Sequence, residues 1–88
     1  MKSSPRIIFI MDPIETVDPT VDTTIGMIMG AQSLGLDVYY TTQPELFLVE
    51  GKVKTTAQSV MLSMDGAHQL ANVPNWYQLG QKELLQFG

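Results

Sequence analysis

Arg6-Ile7-Ile8-Phe9-Ile10-Met11-Asp12-Pro13, residues 6–13, is the stretch from which the rest of the chain is read. The apolar run is short, rich in β-branched side chains and apolar at both alternating sets of positions, as in a central strand covered on both faces. Pro13 has no amide hydrogen and biases Asp12 away from helical geometry, so the chain must turn just past the strand's carboxyl end. After a loop, Asp22-Thr23-Thr24 offers helix-capping side chains ahead of Ile25–Leu34. Apolar residues at 25, 28 and 29, and again at 27, 31 and 34, predict a helix buried on more than one face. Gly35 stands where a left-handed cap is wanted, and Asp37-Val38-Tyr39-Tyr40-Thr41-Thr42 returns to β character. Strand, helix and strand in this order make a βαβ unit. Its strands are expected to run parallel through a right-handed crossover, with the first loop at the sheet's carboxyl edge.

Beyond Pro44, Leu46–Val49 and Lys52–Lys54 flank Glu50-Gly51, which predicts a β-hairpin with Gly51 at positive φ. Thr, Val and Ser between Lys54 and Met64 favour a second extended arm. Small and polar residues from Asp65 to Asn75 suggest a loop or short helical turn; Trp76-Tyr77-Gln78-Leu79 suggests a strand ending before Gly80, and Gln81 to Phe87 suggests two helical turns. The expected fold class is α/β: a small Rossmann-like parallel sheet with a βαβ start and an appended β-hairpin, in a single domain over residues 1–88.

Composition narrows the function. With 88 residues, 44% hydrophobic, the chain can bury one modest core and cannot house a two-lobed catalyst. Nine acidic against five scattered basic side chains, a net charge of −4, argue against a nucleic-acid partner, which needs clustered Lys and Arg. Without cysteine there is no disulfide, thiolate zinc site or Cys nucleophile. The run Ile7–Met11 is too short for a signal peptide or a membrane span, so no membrane association and a cytoplasmic location are expected.

Asp12-Pro13-Ile14 and Asp22-Thr23-Thr24 are the strongest candidates for chemistry. In an open α/β sheet, ligands bind outside the carboxyl ends of the strands, and here an acidic loop meets a helix amino terminus at that edge. Carboxylates there can hold an ammonium group, while hydroxyls and free helix amides can hold a carboxylate, a combination suited to an amino acid or peptide. The plainer roles of the same residues are strand terminator and helix cap. Gly26-Met27-Ile28-Met29-Gly30 has small-xxx-small spacing and predicts close helix-to-sheet packing. No phosphate-cradling glycine motif occurs, and His68, the sole histidine, has no partner at metal-binding spacing, which leaves it a loop residue. Met27, Met29, Met61 and Met64 fall in segments expected to be buried. Tyr39, Tyr40, Trp76 and Tyr77 are expected on the sheet or at a subunit interface, since they do not alternate with basic residues as a base-stacking platform does.

Taken as an ordered set, several segments resemble the amino-terminal region of the bacterial glutathione synthetases: Ile8-Phe9-Ile10-Met11-Asp12-Pro13-Ile14, the Asp22-Thr23-Thr24 helix start, Ala31-Gln32-Ser33-Leu34-Gly35 with Val38-Tyr39-Tyr40 behind it, Glu45-Leu46-Phe47-Leu48 running into Gly51, and Trp76-Tyr77. The resemblance implies an ATP-grasp ligase that joins γ-glutamylcysteine to glycine through an acyl phosphate, using ATP and magnesium. It also implies that this chain is the pre-ATP-grasp domain, on the peptide-substrate side where γ-glutamylcysteine or glutathione lies, within a homo-oligomer. Family members continue with an Arg-Lys-Asp-Pro-Pro segment and the lobes that hold nucleotide and metal, positions with no counterpart among these 88 residues. The resemblance therefore assigns no catalytic, cofactor-binding or metal residue here. It leaves Asp12, Pro13, Ile14, Asp22, Thr23 and Thr24 as substrate-binding positions, and the chain alone is expected to be inactive and to bind neither ATP nor magnesium. The alternative is a stand-alone, non-catalytic α/β module that self-associates through its hairpin and tail.

Overall fold

Strand β1, Arg6–Ile10, ends just before Asp12-Pro13, where the loss of an amide donor requires it. The computed structural model describes residues 5–63 and 75–87. After β1 come a 3-10 turn (Ile14–Thr16), helix α1 (Thr23–Ser33), strand β2 (Asp37–Thr41), a second 3-10 turn (Gln43–Glu45), and strands β3 (Leu46–Val49), β4 (Lys52–Leu62) and β5 (Tyr77–Phe87).

Local chemistry sets both ends of α1. Asp22 is the N-cap: its Oδ1 accepts from the amides of Thr24 at 2.8 Å and Ile25 at 3.4 Å. At the other end Gly35 adopts φ 81°, its amide bonds to the Gln32 carbonyl at 3.0 Å and the Leu36 amide to the Ala31 carbonyl at 3.2 Å. These two bonds form a Schellman motif, which only a residue tolerant of left-handed geometry can close. Ile25, Ile28 and Ala31 are buried, each isoleucine contributing roughly 1.5–3 kcal/mol of apolar burial.

The helix is buried on one face and not on several, because no second layer covers its outer side among the described residues. Met27 is 51% exposed and Leu34 79% exposed. A Cβ built on Gly26 or Gly30 meets nothing within 4 Å, so these glycines do not serve close helix-to-sheet packing. Met61, on β4, is also exposed, which corrects the expectation of a buried methionine set.

The sheet is mixed. β1 and β2 are parallel, with Ile8 beside Tyr39 and Phe9 beside Tyr40. Every other pairing is antiparallel, so the architecture has α/β character without being a parallel sheet. The long strand β4 organises it. Along one edge β4 meets β3 through residues 52–55 and β2 through residues 58–59, and along the other it meets β5 from Val53 to Leu62. β3 turns into β4 through Glu50 and Gly51, both at positive φ (51° and 76°).

β5 bears out the strand at Tyr77–Leu79 and corrects where it ends. It runs on through Gly80, and the tail from Gln81 is not helical; Tyr77–Phe87 is one continuous strand. The tail has residues able to form a helix, but the edge of β4 supplies a ladder of hydrogen bonds on either side of one irregularity, and Leu85 is buried when the tail takes it. Gly80 marks a bulge: Val60 faces Leu79 and Gln58 faces Lys82, so Gly80 and Gln81 together stand opposite Ser59. A Cβ at Gly80 would collide with Ser59 Oγ.

Two apolar clusters follow from the two faces. Under the helix, Ile14, Ile25, Ile28 and Ala31 pack with Val38, Tyr40, Val60 and Leu62, and Trp76 and Tyr77, edge to face at 4.7 Å, close one side. On the opposite face Tyr39, Ala57 and Leu85 pack together with Ile8 against them, so β5 curls back toward β1. β1 was expected to be a central strand, yet among the described residues it pairs only with β2 and forms an edge. Apart from Asn75, the expected loop at 65–75 lies outside the described residues, as do His68 and Met64.

Candidate functional site

The parallel ladder continues one residue past β1, the Met11 amide donating to the Thr41 carbonyl at 3.0 Å, so both strands end at the same level. Beyond that level the chain turns sharply: the Thr16 amide and Oγ1 both donate to the Pro13 carbonyl, at 2.8 and 2.6 Å. The turn drives Ile14 into the core, where it is completely buried. Asp12 and Pro13 stay exposed above the strand ends.

A cavity of about 540 Å³ opens here, lined by Ile10, Met11, Asp12 and Pro13 from the β1 side, Asp22 and Thr24 from the helix start, and Thr42, Gln43 and Pro44 after β2. The fold thus brings Asp12, Pro13, Asp22 and Thr24 to one place. Thr23 is exposed but is not part of this lining, and the Ile14 side chain belongs to the core. Asp22 already holds the amides of Thr24 and Ile25, so the helix start presents a capped end here, with its carboxylate toward the cavity. Two carboxylates, two threonines and a glutamine make a donor-seeking wall suited to an ammonium group or an amide N–H.

A second cavity of about 400 Å³ adjoins it, sharing Pro13 and Thr42. Its polar lining includes Glu15, Tyr40, Glu45, Thr56, Gln58 and Lys82. These residues come from five separate segments, so no spacing in the chain announces them. Burial pushes the Tyr40 hydroxyl above its ordinary value of 10.0, and the charge of Glu15 adds to this, while the Ile14 amide bonded to it pulls the other way. Gln58 spans the β5 bulge, its Nε2 donating to the Gly80 carbonyl at 3.0 Å.

The linings of these two cavities do not fit magnesium or ATP. Among the described residues no three His, Asp or Glu side chains group to hold a metal ion, and Lys82 is the lone basic side chain lining either cavity. A triphosphate needs several converging donors. No helix among the described residues is long and apolar enough to cross a membrane.

Residues 6–88 match the family described as prokaryotic glutathione synthetase, N-terminal domain. The chain is 35% identical over 81 residues to a glutathione synthetase of Thermosynechococcus vestitus, covering 88% of this chain and 25% of that protein. It is 28% identical over 80 residues to the glutathione synthetase of Pseudomonas putida, covering 91% of this chain and 23% of that protein. With the Salmonella typhimurium glutathione synthetase the identity is 24% over 74 residues, 84% of this chain and 21% of the relative. The chain spans about a quarter of the length of the curated relatives it matches.

Proposed function

The chain belongs to the prokaryotic glutathione synthetase N-terminal domain family, and on that footing we propose that it is the substrate-side, pre-ATP-grasp part of a ligase joining γ-glutamylcysteine to glycine. The observation that carries the reading is the convergence of Asp12, Pro13, Asp22 and Thr24 on one cavity at the carboxyl edge of the parallel strands. In this reading the cavity faces the peptide, and the Asp12 and Asp22 carboxylates hold its ammonium group or amide hydrogens. ATP, with magnesium, supplies the activation of the carboxylate and is bound by polypeptide outside these residues. The parent enzyme is cytoplasmic and associates into a homo-oligomer, and the chain alone has no ligase activity.

The test uses the longer protein carrying Asp12→Asn and Asp22→Asn. Asparagine caps a helix about as well as aspartate, so folding is kept while the charge is removed. Losing a hydrogen bond to a charged group costs about 1.5–3 kcal/mol, so KM for the dipeptide should rise roughly ten- to a hundred-fold and KM for ATP should stay near its starting value. Equal effects on both substrates, or none on either, count against the site. Glutathione formed by the purified 88-residue chain alone would overturn the assignment of activation to outside sequence.

A further inference from the structure

The bulge in β5 decides which of its side chains face the cavity beside Tyr40. Leu79 pairs with Val60 and Lys82 with Gln58, and facing residues of an antiparallel pair share one side of the sheet, here the helix side. A regular ladder would set Gln81 opposite Gln58 and Glu83 opposite Thr56; the bulge puts Lys82 and Leu84 there instead. Burial of the core does not demand this. Thr55 faces Leu85 in the bulged ladder and would face Leu84 in a regular one, a leucine either way. What the extra residue changes is the charge of the wall, and re-aiming a side chain is what bulges beside functional sites do. Gln58 pins the bulge through the Gly80 carbonyl, and only glycine at position 80 avoids the Ser59 hydroxyl.

Lys82 thereby lines a cavity of about 400 Å³ with Glu15, Glu45 and Tyr40. That volume falls within the roughly 300–1,000 Å³ of small-molecule sites. No ion pair joins Lys82 to either glutamate, so opposite charges line one space without neutralising each other. Tyr40 is 6% exposed; its hydroxyl accepts from the Ile14 amide, and among the described residues nothing accepts its proton. A cation beside a hydroxyl donor suits a carboxylate, and two carboxylates suit an ammonium group.

We propose that this cavity binds an α-amino acid group, the Lys82 ammonium and the Tyr40 hydroxyl holding its carboxylate, and Glu15 and Glu45 its ammonium. Two kinds of molecule carry that chemistry. A free amino acid such as glycine has both groups, and so does the glutamyl end of a γ-linked dipeptide, whose peptide bond uses the side-chain carboxyl. An α-linked dipeptide has no residue with both groups free. The cavity shares Pro13 and Thr42 with the larger one at the strand ends, so a γ-linked peptide can lie across the two. The peptide source rests on the ligase reading, and the free amino acid does not.

Carbon-13 labels at lysine Cε and tyrosine Cζ of the longer protein test it by NMR, with Lys52 and Lys54, outside the cavity lining, as internal controls. Glycine, γ-glutamylalanine and α-glutamylalanine are titrated separately. The expected result is a saturable shift at Lys82 and Tyr40 with glycine, with the γ-linked peptide or with both, and none with the α-linked isomer. Glycine alone identifies a free amino acid, and the γ-linked peptide alone identifies its glutamyl end. Lys82 is exposed, so Lys82→Gln keeps the fold, and it should weaken binding read at Tyr40 roughly ten- to a hundred-fold. Silence with every probe, an equal shift with α-glutamylalanine, or unchanged affinity in Lys82→Gln overturns the proposal. Glutathione formation is scored on the same preparation: turnover with a silent Lys82 sinks this site and leaves the ligase reading, while glycine bound at Lys82 without turnover does the reverse.

Discussion

Gln32 on the helix holds Leu62 on β4 by both of its backbone groups: the carboxamide Nε2 donates to the Leu62 carbonyl at 2.8 Å, and Oε1 accepts from the Leu62 amide at 2.7 Å. This reciprocal pair does for the end of β4 what a neighbouring strand would do. It also fixes how far along the sheet the helix sits, since the two bonds together tolerate no sliding.

Replacing Gln32 by Ala should lower stability by about 1–3 kcal/mol, because it strands a partly buried amide and carbonyl at once. Urea unfolding followed by circular dichroism measures this as a lower midpoint at unchanged slope. Gln32→Glu keeps the acceptor but sets a carboxylate against the Leu62 carbonyl. Its destabilisation at neutral pH should lessen in acid as the carboxyl becomes a donor.

Thr41 and Thr55 form a buried hydroxyl pair at 2.8 Å, and Thr41 Oγ1 also donates to the Thr56 carbonyl at 3.0 Å. The geometry makes the pair asymmetric. Thr55→Val leaves Thr41 its carbonyl bond and should cost less than about 1.5 kcal/mol. Thr41→Val leaves the Thr55 hydroxyl only a long 3.5 Å approach to the Thr56 carbonyl and should cost distinctly more. Equal losses in thermal unfolding of the two variants would contradict this assignment of donors.

At the helix start, Asp22→Ala should cost about 1 kcal/mol and Asp22→Asn only a few tenths, since the cap needs an oxygen acceptor rather than a charge. Paired denaturation curves check it. The contrast separates the structural work of Asp22 from any contact its charge makes in the adjoining cavity.

Asp18 accepts from the Thr20 hydroxyl at 2.6 Å and the Thr20 amide at 2.9 Å, and these bonds hold its carboxyl below the ordinary value of 3.8. A carboxyl lowered on folding favours the folded state above its ordinary value, and that contribution fades as pH falls through the lowered one. Thr20→Val should return the Asp18 carboxyl toward 3.8 in a carbon-detected NMR titration, since the side-chain bond is the larger cause.

Several elements were legible from short segments alone. Asp12-Pro13 ends β1, Asp22 caps α1, Gly35 closes it, and Glu50-Gly51 turns β3 into β4. The likeness to a known family was legible too, and residues 6–88 match it. Half of the candidate site could be read the same way, because Asp12 and Asp22 announce themselves as strand terminator and cap. Glu15, Glu45, Gln58 and Lys82 could not, since only the sheet register brings them around one cavity.

The misread elements share a cause. The β5 tail was expected to be helical, Met27 and Met61 to be buried, Gly26 and Gly30 to touch the sheet, and β1 to be interior. Each depends on what lies beside the segment rather than within it. The sequence by itself determined where strands and helix begin and end, because caps, prolines and positive-φ turns act through bonds a few residues long. Tertiary structure alone decided which face is covered and which edge is paired. The register pair Thr55 and Leu85, or the packing of Ile8 against the cluster of Tyr39, Ala57 and Leu85, joins residues with no local means of sensing one another.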